Sequence, residues 1–122
     1  MKIKCRIENG RKVWRNEKGQ IHRKNGPAIK YPGGTKEWWQ NDKLHRIDGP
    51  AREHKDGSKI WFQNGLLHRI DGPAIEKISG HKEWWVYGVS YSEEDFNELT
   101  GKLNIDIKIT INGKQYKLVS ID

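Results

Sequence analysis

The amino-acid sequence predicts a mainly β protein: an elongated antiparallel β-meander of 23-residue hairpin repeats, with one short C-terminal helix and a terminal β-hairpin. Three observations carry this reading. First, one heptapeptide recurs: His22-Arg23-Lys24-Asn25-Gly26-Pro27-Ala28, His45-Arg46-Ile47-Asp48-Gly49-Pro50-Ala51 and His68-Arg69-Ile70-Asp71-Gly72-Pro73-Ala74. The offset is 23 residues both times. Second, other positions keep the same step: Gly34, Gly57 and Gly80; Trp38, Trp61 and Trp84; Trp39, Phe62 and Trp85. Third, turn-forming dipeptides punctuate every copy at hairpin spacing.

Within a unit, Gly33-Gly34, Asp56-Gly57 or Ser79-Gly80 supplies the first turn, because these residues tolerate positive φ. An aromatic, strand-prone run follows, as in 35–40. A second, two-residue turn comes at Asn41-Asp42, Asn64-Gly65 or Tyr87-Gly88. A short strand then leads through Leu44 or Leu67 into the His-Arg pair. Proline has no N–H for a central ladder, so Pro50 and Pro73 belong at strand starts or bulges.

The ends depart from the middle. The loop Asn16-Glu17-Lys18-Gly19 is expected to run about two residues longer than its counterparts, and Lys24-Asn25 replaces Ile-Asp. In the fourth unit Tyr91 and Ser92 stand where His-Arg would repeat. Ser92 is a good N-cap, and Glu93, Glu94 and Asp95 crowd the turn after it, so a capping helix is expected over 92–101. Such a helix would lay Phe96 and Leu99 over the last strands and cover an open edge. Hairpins flank the array. Ile3, Cys5 and Ile7 alternate with Lys2, Lys4 and Arg6 ahead of Asn9-Gly10, giving a basic hairpin over 1–15. Ile107, Ile109 and Ile111 alternate with Lys108 and Thr110 ahead of Asn112-Gly113, giving a terminal hairpin over 105–121.

Composition agrees with one thin domain over 1–122. Hydrophobic residues are 34% and charged residues 32% of the chain, which is lean for a thick core. Six Trp, four Tyr and two Phe exclude a disordered chain. No apolar run approaches the roughly 20 residues that cross a bilayer. One cysteine excludes an internal disulfide, and with no apolar leader at the start the expected location is cytoplasmic. Alternation places Cys5 inward. The net charge of +7 is uneven. Residues 1–34 hold ten Lys/Arg and two Glu, or +8; residues 35–122 hold thirteen Lys/Arg and fourteen Asp/Glu, or −1.

The repeats over 13–91 resemble MORN-type repeats, in which an aromatic precedes a two-residue Asn-Gly-like turn. The closer resemblance is to a divergent MORN-like variant with His-Arg-x-Asp-Gly-Pro-Ala, similar to repeats of bacterial, phage and giant-virus proteins. Here that heptapeptide replaces the usual Gly-rich second half. The resemblance implies an elongated sheet used as a scaffold for proteins or acidic lipids. With the small size it implies an accessory factor, of a phage acting on a host target, which would place the chain in the host cytoplasm.

Three groups of residues are candidates for function. The motif set His22, Arg23, His45, Arg46, Asp48, His68, Arg69 and Asp71 invites a phosphodiesterase-like reading, since His moves protons, Arg holds phosphate and Asp orients a base. Two strands per unit put equivalent histidines about 10 Å apart, too far to share a metal or one active site. The structural reading is therefore preferred: Arg–Asp pairs between turns, and His in a cross-strand contact. The aromatic ladders are the second group. Trp38, Trp61 and Trp84 share one face, and Trp39, Phe62 and Trp85 the other. One ladder is expected to be core, and the other is a candidate platform for a partner. The third group is the basic hairpin, where Lys2, Lys4, Arg6, Arg11, Lys12 and Arg15 are expected to merge into one patch for phosphates or an acidic partner, or to serve as a solubilising edge. No phosphate loop, dinucleotide fingerprint, serine elbow or zinc spacing occurs. The expectation is an interaction module without cofactor or metal, its partner a protein, with nucleic acid or nucleotide as the alternative and a homo-oligomer possible.

Overall fold

The computed structural model describes residues 2–110. They form thirteen strands and one helix: β1 (Lys4–Glu8), β2 (Arg11–Arg15), β3 (Ile29–Lys30), β4 (Lys36–Glu37), β5 (Trp39–Gln40), β6 (Lys43–Leu44), β7 (Arg52–Glu53), β8 (Lys59–Ile60), β9 (Phe62–Gln63), β10 (Leu66–Leu67), β11 (Ile75–Glu76), β12 (Lys82–Val86), β13 (Val89–Tyr91) and α1 (Glu93–Thr110). Nine strands make one antiparallel sheet in the order β1-β2-β3-β4-β7-β8-β11-β12-β13. The pairs β5–β6 and β9–β10 are short hairpins beside it.

Two kinds of turn build each unit. At Asn9-Gly10, Asn41-Asp42, Asn64-Gly65 and Tyr87-Gly88 both residues have positive φ, between 46° and 79°. This is the two-residue turn whose twist matches its flanking strands. At Gly34, Gly57 and Gly80 a three-residue loop closes instead, with the glycine N–H donating to the carbonyl three residues back at 2.9–3.0 Å. The first unit uses this second kind at Gly19, whose N–H reaches the Asn16 carbonyl at 3.0 Å. That puts His22 eight positions after Trp14, against seven from Trp38 to His45, so its loop is one residue longer and not two.

The motif loop arises from a break in the ladder. Trp38 N–H donates to the Ala51 carbonyl at 2.7 Å, and the Trp38 carbonyl accepts from His45 N–H at 2.9 Å. Residues 46–50 are therefore inserted opposite a single residue and leave the sheet as a loop. Trp61 repeats this with Ala74 and His68, and Trp14 with Ala28 and His22. The side hairpins are tied across units. Arg23, Arg46 and Arg69 N–H groups donate to the carbonyls of Trp39, Phe62 and Trp85 at 3.0–3.2 Å.

The buried apolar residues among those described are Val13, Ala28, Ile29, Pro50, Ala51, Ala74, Val86 and Phe96. Ala28, Ala51 and Ala74 are fully enclosed where loop meets strand. The expected aromatic core does not form. All six Trp and Phe62 are half-buried, because a largely single-layered sheet leaves both faces partly open. Cys5 and Ile7, expected inward, are exposed; the neighbours of buried Val13 in the ladder are Arg6 and Ile29. β1 is an edge strand, and Arg6, not Cys5 or Ile7, is in register with the buried row.

α1 packs on β12 and β13 and buries Phe96, as expected. Ser92 Oγ accepts from Asp95 N–H at 3.1 Å, the N-cap bond. The helix runs past the expected end at residue 101 to Thr110, so residues 107 and 109 are helical where a strand is expected. The remainder of the expected terminal hairpin, 111–121, lies outside the described residues. No described helix is long and apolar enough to cross a membrane.

Candidate functional site

The inserted loops form a row on the sheet face that carries Trp14, Trp38 and Trp61. In each, the motif arginine sits over the indole of its own unit. The guanidinium carbon is 3.8 Å from the ring centre for Arg46 over Trp38, 3.8 Å for Arg69 over Trp61 and 4.0 Å for Arg23 over Trp14. Such cation–π contacts contribute about 0.5–2 kcal/mol, more as water is excluded. The arginine also folds back on its loop. Arg46 Nη1 donates to the Pro50 carbonyl at 3.0 Å and to Glu53 Oε2 at 3.1 Å, while Nε donates to Asp48 Oδ1 at 3.1 Å. Arg69 repeats the set with Pro73 at 3.0 Å, Glu76 at 2.6 Å and Asp71 at 2.7 Å. The Arg–Asp pairs are thus within one loop and not between turns. Gly49 and Gly72 provide clearance: a Cβ there would stand 2.9 Å from Arg46 Cζ and 2.8 Å from Arg69 Cζ.

The histidines join one unit to the next. Nδ1 of His22, His45 and His68 accepts from the backbone N–H of Asn41, Asn64 and Tyr87 at 3.2, 3.0 and 3.0 Å. Each acceptor sits 19 residues before its donor, so the imidazole pins the first residue of the following unit's tight turn. This bond requires a lone pair on Nδ1, which places the proton of the neutral ring on Nε2. His68 is buried and stacks on Tyr87 at 3.9 Å, and burial pushes its pKa below the ordinary 6.5.

The loops and indoles enclose a series of clefts. One of about 430 Å³ is lined by Ile3, Trp14, His22, Arg23, Lys24 and Asn25. A second, of about 620 Å³, lies between the first two motif loops and is floored by Trp38, Gln40 and His45. A third, of about 560 Å³, lies between the second and third loops and is floored by Trp61, Gln63 and His68. The three histidines therefore line three clefts, and none shares a cavity with another. Among the described residues no three His, Cys, Asp or Glu side chains are grouped to hold one metal ion.

The other face gathers Trp39, Phe62 and Trp85. Trp39 Nε1 donates to Glu37 Oε1 at 3.0 Å, and Trp85 Nε1 donates to Glu83 Oε1 at 2.9 Å. Glu37 is buried and also accepts from Arg52 at 2.7 Å and the Tyr31 hydroxyl at 3.0 Å. Trp84 has no motif arginine; its cross-strand neighbour is Tyr91.

The basic hairpin gathers most of its cations on one face. Its register puts Lys4, Arg6, Arg11 and Arg15 on one face and Lys12 on the other. Arg15 is held bidentate by Glu8 at 2.9 and 3.0 Å, and this pairing lowers the Glu8 pKa. Arg11 lies 5.6 Å from the Tyr31 ring centre. A groove of about 480 Å³ remains, lined by Lys2, Lys4, Arg6, Arg15 and the acids Glu8 and Glu17.

Sequence reasoning passed over Trp14 as the first indole of the row, and Glu53 and Glu76 as partners of the motif arginines. The signal was present: Glu53 and Glu76 each follow a motif arginine by seven residues, on the same 23-residue step. Trp14 escaped it because the extra loop residue shifts it off that step.

The chain matches no family model, no curated protein and no solved structure.

Proposed function

We propose that this chain is a non-enzymatic interaction module that holds a protein partner along the face bearing the motif loops. One observation carries the reading. In the second and third units the chemically capable side chains are committed to the loop itself: the arginine to indole, carbonyl and two carboxylates, the histidine Nδ1 to a turn N–H. What the loops offer outward is a row of clefts with exposed Ile47 at one loop apex. A row of shallow, similar clefts suits contact with an extended surface better than turnover of one small molecule.

Base stacking on the indole row is disfavoured by the same geometry, since Trp14, Trp38 and Trp61 each already carry a guanidinium on the ring. The divergent MORN-like reading of the repeats and an accessory role in a host cell are compatible with this proposal and rest on the resemblance alone.

A photo-crosslinking amino acid at Ile47, in cells making the protein, tests the reading. A discrete crosslinked protein, absent when the same group replaces exposed Asp56 on the other kind of turn, is the expected result. Crosslinks to nucleic acid alone, or equal protein crosslinking from both positions, would overturn it.

A further inference from the structure

The three motif loops share a backbone and differ in charge, and the first differs in one direction. The arginines Arg46 and Arg69 each have two carboxylate partners, Asp48 with Glu53 and Asp71 with Glu76. The residues two and seven places after Arg23 are Asn25 and Lys30. Both carboxylates are gone, one neutralised and one reversed. The loop apex, Ile47 or Ile70 in the later units, is Lys24 in the first. Among the described residues Arg23 keeps only the Pro27 carbonyl, at 3.1 Å, and the Trp14 ring. Lys30 Nζ comes to 5.7 Å from the centre of the same ring. A site with a formal charge of −1 in units two and three (one Arg, one Asp, one Glu) is +3 in unit one (Arg23, Lys24, Lys30).

The sheet beneath repeats the contrast. One cross-strand row reads Lys12, Lys30, Lys36, Glu53, Lys59, Glu76, Lys82. From Lys36 onward the signs alternate, which favours pairing; at the front three lysines stand side by side, which opposes it. A second feature marks the same place. His22 is 3% exposed and lines the cleft with Trp14 and Arg23. Its Nδ1 accepts from Asn41, so its Nε2 carries the proton, and that buried donor has no partner among the described residues. An unsatisfied buried donor costs about 1–3 kcal/mol.

We propose that the first motif loop is a receptor for carboxylates: an acidic segment of a protein partner supplies there the Asp and Glu that units two and three supply for themselves. Arg23 Nε and Nη, Lys24 and Lys30 take the carboxylate oxygens over the Trp14 ring. The ligand class follows from the molecule's own solution at the other two loops, where the groups seated on the same guanidinium are carboxylates. This inference rests on the protein-binding reading and gives it a polarity: the N-terminal end of the loop row is the end that seizes an acidic sequence.

The test restores the missing groups. Asn25→Asp with Lys30→Glu rebuilds in unit one the loop of units two and three, and so is designed to fold. A fluorescent peptide of ten alternating Asp and Glu residues is the probe, at low salt, with a single-stranded thymidine oligonucleotide of equal charge as comparison. The expected result is peptide binding by the native chain that falls at least about tenfold in N25D/K30E, the loss of one to two charge-assisted contacts. Thermal stability should be unchanged or higher in that variant. The converse pair, Asp71→Asn with Glu76→Lys, should add a second binding site. Equal peptide affinity in native and N25D/K30E chains would overturn the site. Tighter binding of the oligonucleotide than of the peptide, lost in N25D/K30E, would overturn the ligand class. A discrete protein crosslink at Ile47 that persists in N25D/K30E would overturn this site while leaving the protein-binding reading standing.

Discussion

His68 shows how a residue of this chain acts in two directions at once: its ring stacks on Tyr87 and its Nδ1 accepts from the Tyr87 N–H. Tyr87 has φ 46°, a conformation that costs a residue with a Cβ about 1–2 kcal/mol. The imidazole stabilises that turn, and only the neutral ring can do so. The folded pKa of His68 lies below 6.5, so the unfolded chain takes up a proton at a pH where the folded chain still refuses it. The contribution is therefore complete above pH 6.5 and is lost as pH falls from there through the folded-state value. His68→Asn keeps an acceptor but not the ring. The native chain should melt higher than H68N at about pH 7.5, and the gap should narrow as pH falls toward about 5. A gap independent of pH in thermal melts would refute the role. Gly72 makes a second residue-scale case. A Cβ there would press on Arg69 Cζ at 2.8 Å and lift the guanidinium from Trp61. Gly72→Ala should cost about 1–3 kcal/mol in denaturant unfolding. Gly80→Ala, where nothing lies within 4 Å but φ is 95°, carries backbone strain without a clash and should leave the Arg69–Trp61 contact in place.

At the scale of elements, α1 closes one end of the meander. Phe96 is 3% exposed and Thr100 Oγ1 donates to the Phe96 carbonyl at 2.8 Å, so the first turns of the helix are seated on β12 and β13. Phe96→Ala should remove about 3–5 kcal/mol and lower the helical circular dichroism signal before the sheet melts. If β13 is then uncovered, concentration-dependent association should appear in size-exclusion chromatography. Ser92→Ala, which removes only the N-cap bond, should cost about 1 kcal/mol and leave the protein's elution unchanged. These elements differ in how readily the sequence discloses them. The tight turns at Asn9-Gly10, Asn41-Asp42, Asn64-Gly65 and Tyr87-Gly88 are legible because positive φ selects residue type. The start of α1 is legible because capping chemistry is local. Its end is not, since nothing in Lys102, Leu103 or Asn104 stops a helix, and alternation over 105–110 imitates a strand. Which sheet face is covered is also hidden. Period-two patterning assigns sides only where one side is dry, and here both are partly wet, as exposed Cys5 and Ile7 demonstrate. The candidate site is half legible: the change from Ile-Asp to Lys-Asn in the first motif is visible by alignment. The loss of the second carboxylate at Lys30 gains meaning only once Glu53 and Glu76 are seen on the motif arginines.

Across the whole molecule, each unit is joined to its neighbours by a repeated set of bonds. The ties are the main-sheet ladder, the Arg N–H to aromatic carbonyl bond of the side hairpins, and the imidazole on the next tight turn. With a core this small, stability lies in these interfaces, as in a one-dimensional array. A consequence is that units are exchangeable. Deleting 46–68 joins His45 to Arg69 and removes one 23-residue period. His45 then faces Tyr87 as His68 did, Arg69 keeps Asp71 and Glu76, and the Trp38 carbonyl still meets an imidazole-bearing strand. The shortened chain should fold with an unchanged strand signature per residue. Its denaturant m-value should fall roughly in proportion to the residues removed, since m follows the surface exposed on unfolding. Its stability should fall by the worth of one unit and one interface, and duplicating 46–68 should raise it by a similar amount. Binding of the acidic peptide should survive the deletion, because the first loop is untouched. A deletion chain that loses its β signal altogether, or a duplication that lowers stability, would mean that the units hold one another through contacts beyond the nearest neighbour.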